Sequence, residues 1–297
     1  MNIKDIPSFE VISSIKEQKC ITFLLLLFDG RLATASNDST IKIYSSFTLS
    51  LTLQGHSFKV TSLDQLPNSQ LVSCSVDKTI KIWTISENSY KCEHTINEAH
   101  SLTLLKVISL SNNRIASCSN DKTIKIWSSA PPYNLLSTLD GHATRPFSIY
   151  QPKGKEILVS GEYFERMVII WNLTNYKKES IFKGVGCYSA NNIVQIDSER
   201  LCIGDDNSIY IINIATNKIE KEIQNKKFDF IFSMMLLTEN ILLLGINCGD
   251  IIYVDLSNDS IVESIKAHRL TVNAMCKLKE KTFCSCSRSG ELFIWKY

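Results

Sequence analysis

The chain has 297 residues, 44% of them apolar, which is ample for a sizeable buried core. Its 32 Lys and Arg against 30 Asp and Glu leave a formal charge of +2, too small to point to a nucleic-acid partner on electrostatic grounds. Met1 to Glu10 include Asp5 and Glu10 but no apolar stretch, so no secretory signal is expected and the cytoplasm or nucleus is the expected compartment. The longest apolar run, Phe23 to Phe28, is far short of the roughly 20 residues a membrane-spanning helix needs, and reads as a buried strand.

In chain order, one short design recurs seven times. It appears as DSTIKIY at Asp38 to Tyr44, DKTIKIW at Asp77 to Trp83, and DKTIKIW again at Asp121 to Trp127. Weaker copies follow: ERMVIIW at Glu165 to Trp171, DNSIYII at Asp206 to Ile212, CGDIIYV at Cys248 to Val254, and SGELFIW at Ser289 to Trp295. The last residues of the copies, 44, 83, 127, 171, 212, 254 and 295, are spaced by 39 to 44. Within each copy apolar residues alternate, as Ile80 and Ile82 flank Lys81, which is the period of a strand with one buried face. A Gly-His or Ala-His pair stands ahead of four copies, at His56, His100, His142 and His268, 27 to 29 residues before the final Trp. A period near 42 fits four short strands per unit and excludes the shorter helical and leucine-rich repeats.

On these residues the sequence resembles the WD40 repeat family over its whole length. The resemblance implies an all-β, seven-bladed β-propeller of four-stranded antiparallel blades, and a single domain over 1–297. The blades would lie at about 19–54, 57–97, 101–139, 143–183, 185–224, 228–266 and 269–297. It also implies buried tetrads of His, Ser or Thr, an acid and Trp. These would be His56, Ser73, Asp77 and Trp83 in blade 2, and His100, Ser117, Asp121 and Trp127 in blade 3. Blade 4 would use His142, Ser160, Glu165 and Trp171, whereas blade 7 has His268, Ser285 and Trp295 but Ser289 in place of the acid. Blade 1 keeps Thr34, Asp38 and Tyr44 with Glu17 at the His position, and blades 5 and 6 retain little beyond the apolar pattern.

The last blade runs out of chain before its outer strand. The stretch FEVISSI at Phe9 to Ile15 resembles SIVESI at Ser260 to Ile265, so a strand within 8–16 is expected to complete blade 7 and close the ring.

Four of the five histidines are absorbed by the repeat, and the fifth, His94, is expected as a solvated residue on an outer strand. No phosphate loop or nucleophile elbow occurs, so no enzyme is expected. Cys74, Cys118 and Cys286 each sit in a Ser-Cys-Ser triplet, the mark of small buried thiols, and neither metal nor cofactor is expected.

The resemblance implies instead a scaffold or adaptor for protein or peptide partners, monomeric alone and part of a larger complex. Docking would use the narrow face, built by the loop after each His and the turn before each acid. The candidates are Phe58, Lys59, Arg145, Tyr163, Phe164, Tyr188, Phe230, Arg269 and Arg288. Tyr163, Phe164, Tyr188 and Phe230 would form an aromatic patch over three blades, or else plug gaps left by lost tetrads. Lys59, Arg145, Arg269 and Arg288 would converge near the channel, or else be scattered solubilising charges. If they converge, acidic or phosphorylated peptides become the expected ligands, as in WD40 substrate receptors of ubiquitin ligases. A phosphoinositide-binding propeller would need a Phe-Arg-Arg-Gly motif, to which Phe182-Lys183-Gly184 is a poor match.

Overall fold

A computed structural model describes residues 9–279 and 281–297, in which 28 strands form seven four-stranded antiparallel sheets. After β1 (Glu10–Lys16), blade 1 contains β2 (Ile21–Leu26), β3 (Leu32–Ser36), β4 (Ile41–Ser45) and β5 (Thr48–Leu53). Blade 2 contains β6 (Val60–Gln65), β7 (Leu71–Ser75), β8 (Ile80–Ile85) and β9 (Tyr90–Ile96). Blade 3 follows with β10 (Leu104–Leu110), β11 (Arg114–Ser119), β12 (Ile124–Ser128) and β13 (Leu135–Leu139). Blade 4 has β14 (Pro146–Tyr150), β15 (Ile157–Glu162), β16 (Met167–Asn172) and β17 (Lys178–Lys183). Blade 5 has β18 (Ile193–Gln195), β19 (Arg200–Gly204), β20 (Ser208–Asn213) and β21 (Lys218–Gln224). Blade 6 has β22 (Ile231–Leu236), β23 (Ile241–Ile246), β24 (Asp250–Asp255) and β25 (Ser260–Lys266). Blade 7 has β26 (Val272–Lys277), β27 (Thr282–Ser287) and β28 (Glu291–Lys296), with β1 as its outer strand.

The burial of each strand follows its place in the blade. The second strands, such as β7 (LVSCS) and β11 (RIASCS), are buried at every residue because neighbouring blades cover both faces. Small and apolar side chains fill the middle of these strands, which is why Ser, Cys and Ala recur. The outer strand β21 (KIEKEIQ) is exposed at all but one residue.

Each apolar cluster joins two adjacent blades. Trp83 packs with Ile41 and Ile43 of blade 1, and Trp127 packs with Ile80 and Ile82 of blade 2. A blade therefore has no complete core of its own, and stability resides in closure of the ring.

The inner strands are stitched by side-chain bonds to the next blade's backbone. Thr22 Oγ1 donates to the Val60 carbonyl (2.6 Å) and Thr61 Oγ1 to that of Leu104 (3.0 Å). Ser148 Oγ donates to Ala190 (2.8 Å), Ser233 Oγ to Val272 (3.0 Å), and Asn273 Nδ2 to Ile21 (2.7 Å), which returns to blade 1.

The N-terminal strand closes the ring. It pairs antiparallel with β28 from Glu10 opposite Lys296 to Lys16 opposite Glu291, with an irregularity between Val11 and Ser13. His94, expected in solvent, is half-buried and packs on Tyr133 of the next blade, with ring centroids 4.7 Å apart.

Candidate functional site

The tetrads are geometrically ordered in blades 2 and 3. Trp83 Nε1 donates to Ser73 Oγ (2.8 Å), Ser73 Oγ meets His56 Nε2 (2.7 Å), and His56 Nδ1 meets Asp77 Oδ2 (2.8 Å). The corresponding distances through Trp127, Ser117, His100 and Asp121 are all 2.9 Å.

Donor counting fixes the protons. The indole can only donate and the carboxylate can only accept, so Ser73 gives its proton to Nε2 and Nδ1–H points at Asp77. The histidine is then neutral, and burial pushes its pKa below the ordinary value despite Asp77. These groups saturate one another, which makes them mortar for the blade and not chemistry.

Blade 4 departs from the expected tetrad. Glu165 is exposed, and it is Glu162 Oε2, wholly buried, that lies 3.3 Å from His142 Nδ1. Glu162 stands two residues after Ser160, where blades 2 and 3 have Ser75 and Ser119, and the longer side chain reaches back to the histidine. Burial alone would raise its carboxyl, but His142 and Thr144 hold it below the ordinary value.

In blade 7, Trp295 Nε1 donates to Ser285 Oγ (2.8 Å), which meets His268 Nε2 (2.7 Å). Glu291 approaches Nδ1 only to 3.7 Å, while the imidazole stacks on Phe293 at 4.6 Å. Among the described residues, the Nδ1 atoms of His142 and His268 have no hydrogen-bond partner.

Blade 1 replaces the histidine with Glu17, buried, whose Oε1 accepts from Thr34 Oγ1 (2.7 Å) and Tyr44 Oη (2.9 Å). Lys42 Nζ neutralises it at 2.7 Å and also reaches Asp38 at 2.8 Å.

Blade 5 has lost the histidine to Gly186, and its buried Asp205 is answered from the neighbouring blade. Arg166 Nη1 lies 2.7 Å from Asp205 Oδ2, and Arg166 Nη2 donates to Tyr210 Oη (2.7 Å). A Cβ on Gly186 would lie 2.6 Å from Asp205 Oδ1, so any side chain there would have to displace the Asp205 carboxylate. Arg166 ends the long blade 4 turn, which explains that turn's length: it anchors the segment presenting Tyr163 and Phe164.

Those two residues line a cavity of about 560 Å³ at the channel mouth, together with Lys59, Arg145, Tyr188 and Phe230. Tyr163 contacts Phe164 (5.4 Å between centroids) and Tyr188 (4.8 Å), and Tyr188 contacts Phe230 (4.9 Å). The aromatic patch is therefore a contiguous assembly. Phe58 is 62% exposed but does not line the cavity. Arg269 and Arg288 are also exposed and outside its lining, so of the four basic candidates only Lys59 and Arg145 share this site.

Sequence reasoning missed Phe147 and Phe232, which complete the aromatic wall. Phe232 lies 5.1 Å from Tyr188, and Arg145 stacks over Phe147 (4.7 Å) and Phe164 (5.2 Å). Both phenylalanines occupy the β-bulge at the start of an inner strand, as do Thr22, Thr61, Leu105 and Asn273, and all six line the cavity. A bulge re-aims one side chain out of the alternating pattern. The signal was present as a fixed offset, since Thr61, Leu105, Phe147 and Asn273 each follow the repeat His by five.

Seven four-stranded blades in a closed ring define this chain as a seven-bladed β-propeller, two of whose blades hold the complete Trp-Ser-His-acid network of a WD40 repeat. The family model described as "WD domain, G-beta repeat" matches residues 47–84 and 90–128, the stretch holding both complete tetrads. Among similar proteins, pre-mRNA-processing factor 19 of Oryza sativa subsp. japonica is 41% identical over 71 residues, covering 23% of this chain and 14% of that protein. The WD repeat-containing protein 89 homolog of Dictyostelium discoideum is 34% identical over 90 residues, 29% of this chain and 24% of the relative. WD repeat-containing protein pop2 of Schizosaccharomyces pombe is 38% identical over 72 residues, 24% of this chain and 10% of the relative. The matched stretch thus spans a quarter or less of these relatives.

Proposed function

We propose that this protein is a non-catalytic interaction module that binds a peptide or protein segment in the aromatic cavity at the channel mouth and helps assemble a multiprotein complex. The observation that carries the reading is the cavity itself. Six aromatic rings and two cations, from blades 2, 4, 5 and 6, face one opening of a size suited to several side chains. Aromatic and Arg side chains are the residues that carry most binding energy at interfaces.

A second reading is favoured by the charge of the lining. Among the described residues that line the cavity, Lys59 and Arg145 are charged and none is a carboxylate, and Arg145 Nε has no hydrogen-bond partner among the described residues. This favours an acidic or phosphorylated ligand, which would engage the guanidinium left unsatisfied. The name of the rice relative, a pre-mRNA-processing factor, is compatible with such an adaptor role.

The test is affinity purification with mass spectrometry, comparing wild type with Tyr163→Ser/Phe164→Ser and with Arg145→Ala/Lys59→Ala. Partners lost by the aromatic variant at unchanged melting temperature support the first reading. Partners lost selectively by the basic variant, and weakened by salt, support the second. Retention of every partner by both variants rejects this cavity as the docking site.

A further inference from the structure

At the opposite end of the ring, the loops between first and second strands and between third and outer strands surround another groove of about 510 Å³. It lies at the closure seam between blades 7 and 1. Its floor is apolar, from Leu26, Leu32, Phe47, Leu278 and Ile12, and among the described residues that line it the charged ones are Lys279 and Lys296. Ile12 is the residue skipped by the irregular pairing of β1, and it stands 47% exposed.

The presentation of Phe47 is what sets this groove apart. The two-residue turn between β4 and β5 is Ser46-Phe47, with φ of 45° and 64°. Such a type I′ turn is ordinarily made by Asn-Gly or Asp-Gly, because a bulky side chain at positive φ is strained. The other adjacent pair of non-glycine residues with positive φ among those described is Asn112-Asn113, which tolerates the conformation. Here strain is retained to hold a half-exposed phenyl ring over the groove, and strain of this kind concentrates at binding sites.

We propose that this groove is a second docking surface, independent of the cavity above, for a partner segment that carries apolar side chains flanked by carboxylates. The apolar floor and paired lysines supply the complementary chemistry. Bulging of β1 at Ile12 disfavours simple strand addition at this edge, so recognition rests on side chains.

The probes are two fluorescein-labelled hexapeptides, one alternating Glu with Leu and Phe, the other carrying Lys in place of Glu, titrated by fluorescence anisotropy. The Glu peptide should bind, more weakly at high salt, and the Lys peptide should not. Phe47→Gly should lower its affinity by about tenfold or more while the melting temperature stays equal or rises, since glycine relieves the strained turn. Lys279→Glu/Lys296→Glu should weaken the same peptide, and Tyr163→Ser/Phe164→Ser should leave it unchanged. The proposal is overturned if the Glu peptide fails to bind, if the Phe47 variant binds it like wild type, or if the cavity variant abolishes binding. It is also overturned if sedimentation shows a dimer that Phe47→Gly dissolves, because the occupant would then be a second copy.

Discussion

The Glu17 amide donates to the Gly290 carbonyl across 2.8 Å, so the residue that replaces the first blade's histidine is bonded to the turn of the last blade. Gly290 has φ of 82°, and a Cβ there would lie 2.5 Å from the Glu17 carbonyl oxygen. Closure thus depends on backbone contact at this point as well as on the β1–β28 ladder.

Deleting residues 1–16 should therefore open the ring, exposing the β28 edge and the apolar face that Ile15 covers. The expected outcome is aggregation or loss of a cooperative thermal transition. Gly290→Ala is the milder counterpart and should lower stability without removing a strand. A soluble, cooperatively unfolding truncation contradicts the closure argument.

Asp77→Ala leaves His56 Nδ1–H and the Ser57 amide without their acceptor. Stability should fall by about 1–3 kcal/mol, the cost of stranded buried donors. Urea denaturation of the variant measures it, with partner affinity unchanged at temperatures where the variant is folded.

The buried histidines should weaken the fold as pH falls, partly offset by Asp64 and Asp205, whose carboxyls burial pushes up to about 6. Burial pushes His268 down to about 4 from 6.5, outweighing nearby Glu291, and His56 and His100 shift the same way for the same cause. The unfolded chain accepts these protons first, so the histidines' contribution to stability is complete above about pH 6.5 and declines as pH falls towards 4. For His268 the loss is at most roughly 3 kcal/mol. Asp77 and Asp121 are held below their ordinary value, so they add a loss only at lower pH. Urea midpoints at pH 7 and 5 read this out, and His268→Gln should flatten the difference.

Arg166→Ala removes the cation facing buried Asp205 and frees the end of the aromatic turn. Hydrogen exchange should rise across 162–166, and Asp205→Asn in the same chain should restore much of the stability by removing the unpaired charge. Unchanged exchange would show that Arg166 does not anchor the turn.

The architecture was readable because its cause is periodic. The alternating apolar residues recur in every blade, so even blades 5 and 6 announce themselves by pattern, although the His-to-Trp interval is confined to blades 2, 3, 4 and 7 and the Ser-Cys-Ser triplet to blades 2, 3 and 7. The aromatic patch was legible because Tyr163 and Phe164 sit in a turn that interrupts the period. What escaped had local causes. Glu162 was hidden because it stands two residues after Ser160, at the position of Ser75 and Ser119, and not four residues after the serine, where blades 2 and 3 carry Asp77 and Asp121. Phe147 and Phe232 looked like ordinary strand residues until the bulge turned them into the channel. Arg269 and Arg288 share a side with Arg145 in sequence terms, but convergence depends on radial distance from the axis, which no spacing encodes.

The account's central claim is that the aromatic cavity, and not the tetrads, carries partner binding. Its most direct measurement is the dissociation constant of a partner recovered by affinity purification, determined calorimetrically at a temperature where every variant is folded. The predicted result is that Tyr163→Ser/Phe164→Ser weakens binding by about 1–3 kcal/mol or more while Asp77→Ala leaves it unchanged. Equal affinity of wild type and the aromatic variant, with matching melting curves, would contradict it.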